Sequence, residues 1–254
     1  MIPIEIRGVR IGAGRPKICV PITGKTYKEI LNDAAIIVNR PCDMVEWRAD
    51  WFEDVFHLEQ TIEVLKELRQ ILDKKPLLFT FRTLQEGGEK AISVQEYVTL
   101  IKAVSDSHLA DLVDMELFPF ELELPSLISY VHKTSGKVIL SSHDFQKTPT
   151  CGELLKRLEK MEELGADISK IAVMPQSRKD VLTLLSVTEE RSRHALRPVI
   201  TMSMSETGLI SRLAGEVFGS AVTFGSVTNA SAPGQIPVEQ LSRVLDILHG
   251  GKEE

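Results

Sequence analysis

The chain has 254 residues, of which 43% are hydrophobic and 26% charged, with a formal net charge of -6. That composition can fill a sizeable core and excludes a disordered chain, while the missing basic excess argues against nucleic acid as a general partner, because few cations are available to displace its counterions. Cys19, Cys42 and Cys151 stand apart with no CxxC or CxxxH spacing, which excludes a disulfide framework and a cysteine zinc site.

In chain order, residues 1–16 hold two short alternating runs around a Gly-rich middle and predict a β-hairpin. The opening MIPIEIRGVR has no charged segment followed by an apolar stretch, so no secretory signal is read. KICVPI (17–22) predicts a strand and residues 26–40 a helix. DMVEWRAD (43–50) and then 57–73 repeat the pattern, as do PLLFTFR (76–82) with 93–104, and LADLVDMEL (109–117) with 124–134. KVILSSHDF (137–145) precedes a helix over 152–165, and ISKIAVM (168–174) precedes one over 178–193. PVITMSM (198–204) precedes a helix over 208–219. SAVTFGSV (220–227) and a helix over 238–249 close the series.

These are eight strand–helix units about 30 residues apart, the spacing of parallel βαβ connections. The strands read as near-continuous apolar runs, as in a sheet buried on both faces. The expected fold is therefore α/β, a (β/α)8 TIM barrel occupying residues 1–254 as one catalytic domain, with the hairpin of residues 1–16 in front. An open doubly wound sheet is the second topology, but PITGKTYKE after the first strand lacks a GxGxxG loop. No apolar run approaches the ~20 residues of a membrane span, so the chain reads as cytoplasmic.

Barrel enzymes carry their chemistry at the carboxyl ends of the strands, and that is where the unusual polar residues fall. Glu46 and Arg48 close one run, two apart and so on one face. Arg82 closes the next, with Glu86 just beyond it in TLQEGGE, and Glu116 and His143 close the two after that. Lys170 lies within ISKIAVM, and Ser231 and Gln235 sit in the loop NASAPGQIP. Singly, each has an ordinary reading as a solvated strand end or half of an ion pair. Lys17 and Lys137 also flank apolar runs, and periodicity does not rank Lys170 above them. Convergence of cations, a base and carboxylates on one barrel mouth favours a site, because such a ring is costly to desolvate. The substrate is not read from these positions.

The motifs EWRAD, FTFR-x3-EGGE, SSHDF-x-KTP, SKIAVMP, ITMSM, ISRLAGEVFGS and SAPGQI, in this order, make the chain resemble the type I 3-dehydroquinate dehydratases from residue 14 to residue 236. The resemblance implies a lyase of the shikimate pathway that converts 3-dehydroquinate to 3-dehydroshikimate without metal or other cofactor, as a homodimer. It assigns catalysis to Lys170 as imine former, His143 as acid and base, and Glu86 as the carboxylate that orients the imidazole. Substrate binding falls to Glu46, Arg48, Arg82, Arg212, Ser231 and Gln235, with Arg212 on the substrate carboxylate and net positive neighbours expected around Lys170. Met202, Met204 and Phe224 would be an apolar wall, a role that ordinary core side chains share. Several relatives have Ser where this chain has Pro21, so a hydroxyl contact there is not expected. A class I aldolase on the same barrel, and a barrel that binds without catalysis, are the competing readings.

Overall fold

The computed structural model describes residues 1–227 and 232–250. Strands β1 (Ile4–Ile6) and β2 (Val9–Ile11) form the expected antiparallel hairpin. Arg7 (φ 49°) and Gly8 (φ 81°) turn it, the two positive φ values that a two-residue hairpin matching the strand twist requires.

Eight parallel strands follow: β3 (Lys17–Ile22), β4 (Met44–Arg48), β5 (Leu77–Thr80), β6 (Leu112–Glu116), β7 (Lys137–Asp144), β8 (Ile168–Val173), β9 (Val199–Ser203) and β10 (Val222–Ser226). They lie in sequence order, and β10 pairs back onto β3. The seam between β9 and β10 is closed by a parallel bridge from Val199 to Ser220, with the Ala221 N–H donating to the Val199 carbonyl at 2.8 Å. The sheet is thus a (β/α)8 barrel. A two-residue strand, β11 (Ile236–Pro237), adds to the far edge of β10.

Between the strands run α1 (Tyr27–Ile37), α2 (Leu58–Leu72), α3 (Val94–Ser107), α4 (Leu124–Lys133), α5 (Cys151–Glu163), α6 (Arg178–His194), α7 (Leu209–Leu213), α8 (Gly215–Phe218) and α9 (Val238–His249). Thr26/Glu29, Ser93/Glu96 and Thr150/Glu153 make reciprocal capping boxes that start α1, α3 and α5, and Asp180 accepts the Ser177 N–H at the start of α6, satisfying N–H groups that a helix start otherwise leaves unpaired. No helix among the described residues is long and apolar enough to cross a membrane.

Two expected elements differ. The helix predicted over 208–219 bends at Ala214 into α7 and α8. Ser211 Oγ accepts the Ser203 N–H (2.8 Å) and Thr223 Oγ1 donates to the Arg212 carbonyl (2.9 Å), so α7 is tied to the strands on either side of it. The strand predicted to reach Arg82 stops at Thr80, because the Arg82 N–H donates to the Asp50 carboxylate (3.2 Å) instead of to a neighbouring strand.

Alternation along each strand sorts the side chains into two cores. Outward residues such as Val45, Phe79, Val113 and Leu140 pack with the helices. Inward, Met44, Leu78, Leu112, Ile139 and Ile168 form one cluster with Ile4, Ile6 and Ile11 of the hairpin. The hairpin therefore plugs the amino-terminal end of the barrel.

Candidate active site

Two residues further along each strand, the inward positions change character. β4 continues from Met44 to Glu46 and Arg48, and β6 from Leu112 to Asp114 and Glu116. β7 continues from Ile139 to Ser141 and His143, and β8 from Ile168 to Lys170. Strand periodicity thus delivers a polar ring to the carboxyl end of the barrel. One cavity there is lined by Glu46, Arg48, Arg82, Glu86, His143 and Lys170, together with Arg212 and Gln235. Ser231 lies outside the described residues.

Lys170 is 4% exposed. Its Nζ donates to Asp114 Oδ2 at 3.2 Å, stands 3.8 Å from Glu46 Oε1, and sits over the Phe224 ring at 4.7 Å. The net positive surroundings expected for it are therefore not found at close range. Burial of a cation favours adjacent carboxylates, and the Arg82 guanidinium is turned onto one of those acids, Asp114. Lys17 and Lys137 are at the other end of the barrel: Lys17 donates to the Ala13 and Arg15 carbonyls, and Lys137 pairs with Asp167.

Arg82 donates to Glu116 (3.0 Å), Ser141 Oγ (2.9 Å) and Asp114 Oδ1 (2.8 Å). Burial works against its charge, but Asp114, Glu116, Glu86 and Glu46 outweigh it and keep the guanidinium firmly protonated. Glu116 also accepts the Thr83 N–H and hydroxyl, at 2.8 and 2.6 Å. Arg48 makes a two-pronged pair with Asp50, both bonds 2.9 Å, the arrangement that fixes a guanidinium plane.

Glu86 ends a short 3-10 turn, Leu84–Glu86. Its Oε2 accepts the His143 backbone N–H at 3.1 Å and lies 2.8 Å from His143 Nδ1. An oxygen acting as acceptor for both places the ring proton on Nδ1 and leaves Nε2 as the basic nitrogen. Burial is the main influence lowering the His143 pKa well below the ordinary imidazole value, helped by Arg82, Lys170 and Arg48. Burial and Glu116 push the Glu86 carboxyl up, against Arg82. The glycines of EGGE make this placement possible. A Cβ on Gly87, where φ is 81°, would lie 2.3 Å from the Phe145 ring, and one on Gly88 would lie 1.9 Å from the Arg82 carbonyl oxygen.

Arg212 is 1% exposed, yet it makes no ion pair among the described residues. Its contacts are the Pro233 carbonyl at 3.1 Å and Met202 Sδ at 3.8 Å, and its Nε has no acceptor. Burial alone pushes its pKa down to about 10. Met202, Met204, Ala172 and Phe224 complete an apolar wall beside it, although Met202, Ala172 and Phe224 also belong to the barrel core.

Sequence reading did not single out Asp50, Asp114, Thr80 or Ser141. Their signal was periodicity: Asp114 is two before Glu116, Ser141 two before His143, and Asp50 two beyond Arg48. In this arrangement a buried amine and a neutral imidazole face one cavity, and a buried cation lines the same cavity. Such a set can form an imine with a carbonyl, move a proton beside it and hold an anionic group.

A family model described as type I 3-dehydroquinase matches residues 18–252. A curated 3-dehydroquinate dehydratase from Clostridioides difficile (strain 630) is 51% identical over 247 residues, covering 97% of this chain and 97% of that protein. One from Salmonella agona (strain SL483) is 51% identical over 250 residues, covering 98% and 99%. Among solved structures, the Clostridium difficile type I 3-dehydroquinate dehydratase with covalently modified comenic acid superposes with a TM-score of 0.96. It is 50% identical and covers 98% of this chain and 99% of that one.

Proposed function

The chain belongs to the type I 3-dehydroquinase family, enzymes that are hydro-lyases, and from that premise we propose that it dehydrates 3-dehydroquinate to 3-dehydroshikimate through an imine on Lys170. The observation that carries this reading is Arg212. It is a buried cation with no carboxylate partner among the described residues, on the wall of the cavity that holds Lys170 and His143. A buried, unpaired guanidinium is costly, and a carboxylate on the substrate would satisfy it with two parallel bonds.

Lys170 Nζ gives one proton to His143 Nε2 and adds to the ring ketone as the amine, and the return of that proton to the carbinolamine hydroxyl expels water and leaves a protonated imine. His143 Nε2 then removes the C2 proton, and the C–H electron pair moves onto the imine nitrogen as an enamine. The pair returns as the C1 hydroxyl departs, protonated by the imidazolium that His143 has become. Hydrolysis of the imine releases product and free Lys170. Glu86 holds the imidazole so that Nε2 serves both transfers. Glu46, Arg48 and Arg82 bind ring hydroxyls, with Gln235, which lines the same cavity, and Ser231 as further substrate-binding residues. The assembly is read as a homodimer and the setting as cytoplasmic. No metal or nucleotide enters these steps, so turnover should survive exhaustive chelation.

Borohydride added with 3-dehydroquinate should inactivate the protein and add one reduced ligand to the peptide carrying Lys170. Label on Lys17 or Lys137, or no label, would overturn the reading. The enone absorbance of the product separates dehydration from aldol cleavage on the same imine.

A further inference from the structure

The carboxylate nearest the proposed nucleophile is Asp114, a residue to which the mechanism above gives no work. We infer that Asp114 is a catalytic residue, the fixed counter-ion that keeps the imine on Lys170 protonated, an inference that rests on the lysine reading. Its side chain is fully buried and held from three sides. Oδ1 accepts from Arg82 Nη2 (2.8 Å) and from Ser141 Oγ (2.6 Å), while Oδ2 accepts from Lys170 Nζ (3.2 Å). Ser141 Oγ in turn accepts from Arg82 Nη1, so clamp and carboxylate form one rigid unit. Glu46 is the other acid near Nζ, but it is 3.8 Å away and its closest oxygen already accepts from Thr80 Oγ1 at 2.8 Å.

The charge count makes a fixed anion useful. A protonated amine and a ketone become a protonated imine and water, so nitrogen carries one positive charge before and after, and one carboxylate serves both states. Only the protonated imine is a strong electron sink. The anion somewhat disfavours the enamine, yet without it the nitrogen can lose its proton and the sink disappears. Burial alone would push the Asp114 carboxyl up. Arg82 and then Lys170, with the bonds from Ser141 and Arg82, outweigh burial and hold it below the ordinary carboxylate value, so it stays ionised.

Other groups set the background against which this charge acts. Glu46 and Arg48 face the nitrogen's cavity from β4, Arg82 and Glu86 from beyond β5, and His143 from β7. Glu116 of β6 is turned onto Arg82 and Thr83, and buried Cys19 of β3 also feels Lys170. Of the acids in this set, Asp114 is the one bonded to Nζ.

The test is Asp114→Asn, which keeps size while removing the charge and one of the two acceptor oxygens. In protein shown by circular dichroism to be folded, kcat should fall about 10²-fold, the scale of losing one preorganised electrostatic partner. The alkaline limb of kcat should move down by about one to two pH units, as expected for removing an opposite charge within reach. Trapping by cyanoborohydride, which reduces the protonated imine, should decline with pH correspondingly earlier. Asp114→Glu should restore part of the limb, whereas a carboxylate that merely anchors Arg82 would alter KM and melting temperature and leave the limb in place. An unmoved limb in folded Asp114→Asn overturns the inference. If that variant does not fold, Ser141→Ala decides instead, because it keeps both charges but loosens the clamp. A smaller downward move supports the counter-ion and an unmoved limb overturns it. Failure of the parent protein to trap any adduct on Lys170 would overturn the lysine reading itself, which separates the two failures.

Discussion

The two ends of the barrel are built from the same strands, one side-chain repeat apart, and they have opposite chemistry. At the amino-terminal end the inward residues Leu78, Leu112, Ile139 and Ile168 pack under the hairpin's isoleucines. Two and four residues on, the same strands present Thr80, Asp114, Ser141 and Lys170, then Arg82, Glu116 and His143. The apolar end can be dense because nothing in it needs water. The charged end is tolerable because nearly every group in it is bonded to another, as buried charges must be. Arg212 is bonded only to a carbonyl and a thioether and has no ion pair among the described residues, and it sits where the proposed substrate brings an anion. One end holds the strands in register so that the other can aim its side chains; a slip of one residue would turn Lys170 away from the cavity.

The hardest test of this division pairs one lysine from each end. Lys170→Ala should lower kcat on the order of 10⁵-fold, as removing a covalent nucleophile does elsewhere, while substrate still binds through the arginines. Lys137→Ala removes an ion pair to Asp167 at the opposite end and should leave kcat within about 2-fold, because such a partly exposed pair has little influence at a distance. Comparable losses in both variants would mean that the ends are not functionally separate.

Next in size is His143→Ala, for which turnover in folded protein should drop about 10²–10⁴-fold. If the imidazole serves the steps after imine formation, the variant should accumulate a covalent adduct on Lys170, visible by mass spectrometry with little chemical trapping. Glu86→Gln should cost less, since it disturbs only the orientation of the ring. Turnover within about 10-fold of the parent in folded His143→Ala would reduce this histidine to a packing residue.

How much of this was readable beforehand differs between the two ends in the same way. The barrel, its hairpin and the strand ends were legible because alternation and spacing are local signals carried by runs such as KVILSSHDF. That Lys170 differs from Lys17 and Lys137 was not legible in periodicity, which marks a lysine at or beside an apolar run without ranking it. The motif resemblance alone ranked it. Asp114 and Ser141 were hidden because a polar residue inside an apolar run reads as an interruption until its neighbours on other strands are known, and those lie 32 and 59 residues from it in sequence. The bend at Ala214 was hidden too, since the groups that tie α7, the Ser203 N–H and the Thr223 hydroxyl, belong to the strands on either side of it.

The apolar end predicts the reverse pattern of damage. Ile11 is fully buried in the hairpin against the inner barrel. Ile11→Ala should cost about 2–4 kcal/mol of stability, the range for a large-to-small core substitution, read as a lower denaturation midpoint. Turnover per folded molecule should stay within about 2-fold. A large fall in kcat with little loss of stability would show that the plug shapes the mouth as well as holding the barrel.

The smallest expected effect concerns pH, and it separates the ends by the size of a slope. His143 is buried, and chiefly for that reason, with Arg82, Lys170 and Arg48 adding to it, its imidazole resists protonation well below the ordinary value of 6.5. Since kcat/KM reports the free enzyme, it should change by less than about 2-fold as pH falls from 7.5 to 6.5, and its acid limb should begin lower. A group with a lowered folded-state pKa binds fewer protons folded than unfolded between its two pKa values. Its contribution to stability is therefore complete above 6.5 and is lost as pH falls from there towards the folded value, at up to about 1.4 kcal/mol per pH unit. Glu86 works in the opposite sense: its raised carboxyl contributes fully below 4.5 and less as pH rises through its folded value. The parent's slope mixes the two, so the informative quantity is a difference. His143→Gln should lose less melting temperature than the parent between pH 6.5 and 5.5, and Ile11→Ala, at the plugged end, should lose the same as the parent. A kcat/KM limb centred at 6.5, together with equal slopes for parent and His143→Gln, would mean that the imidazole at the charged end titrates as it would in water.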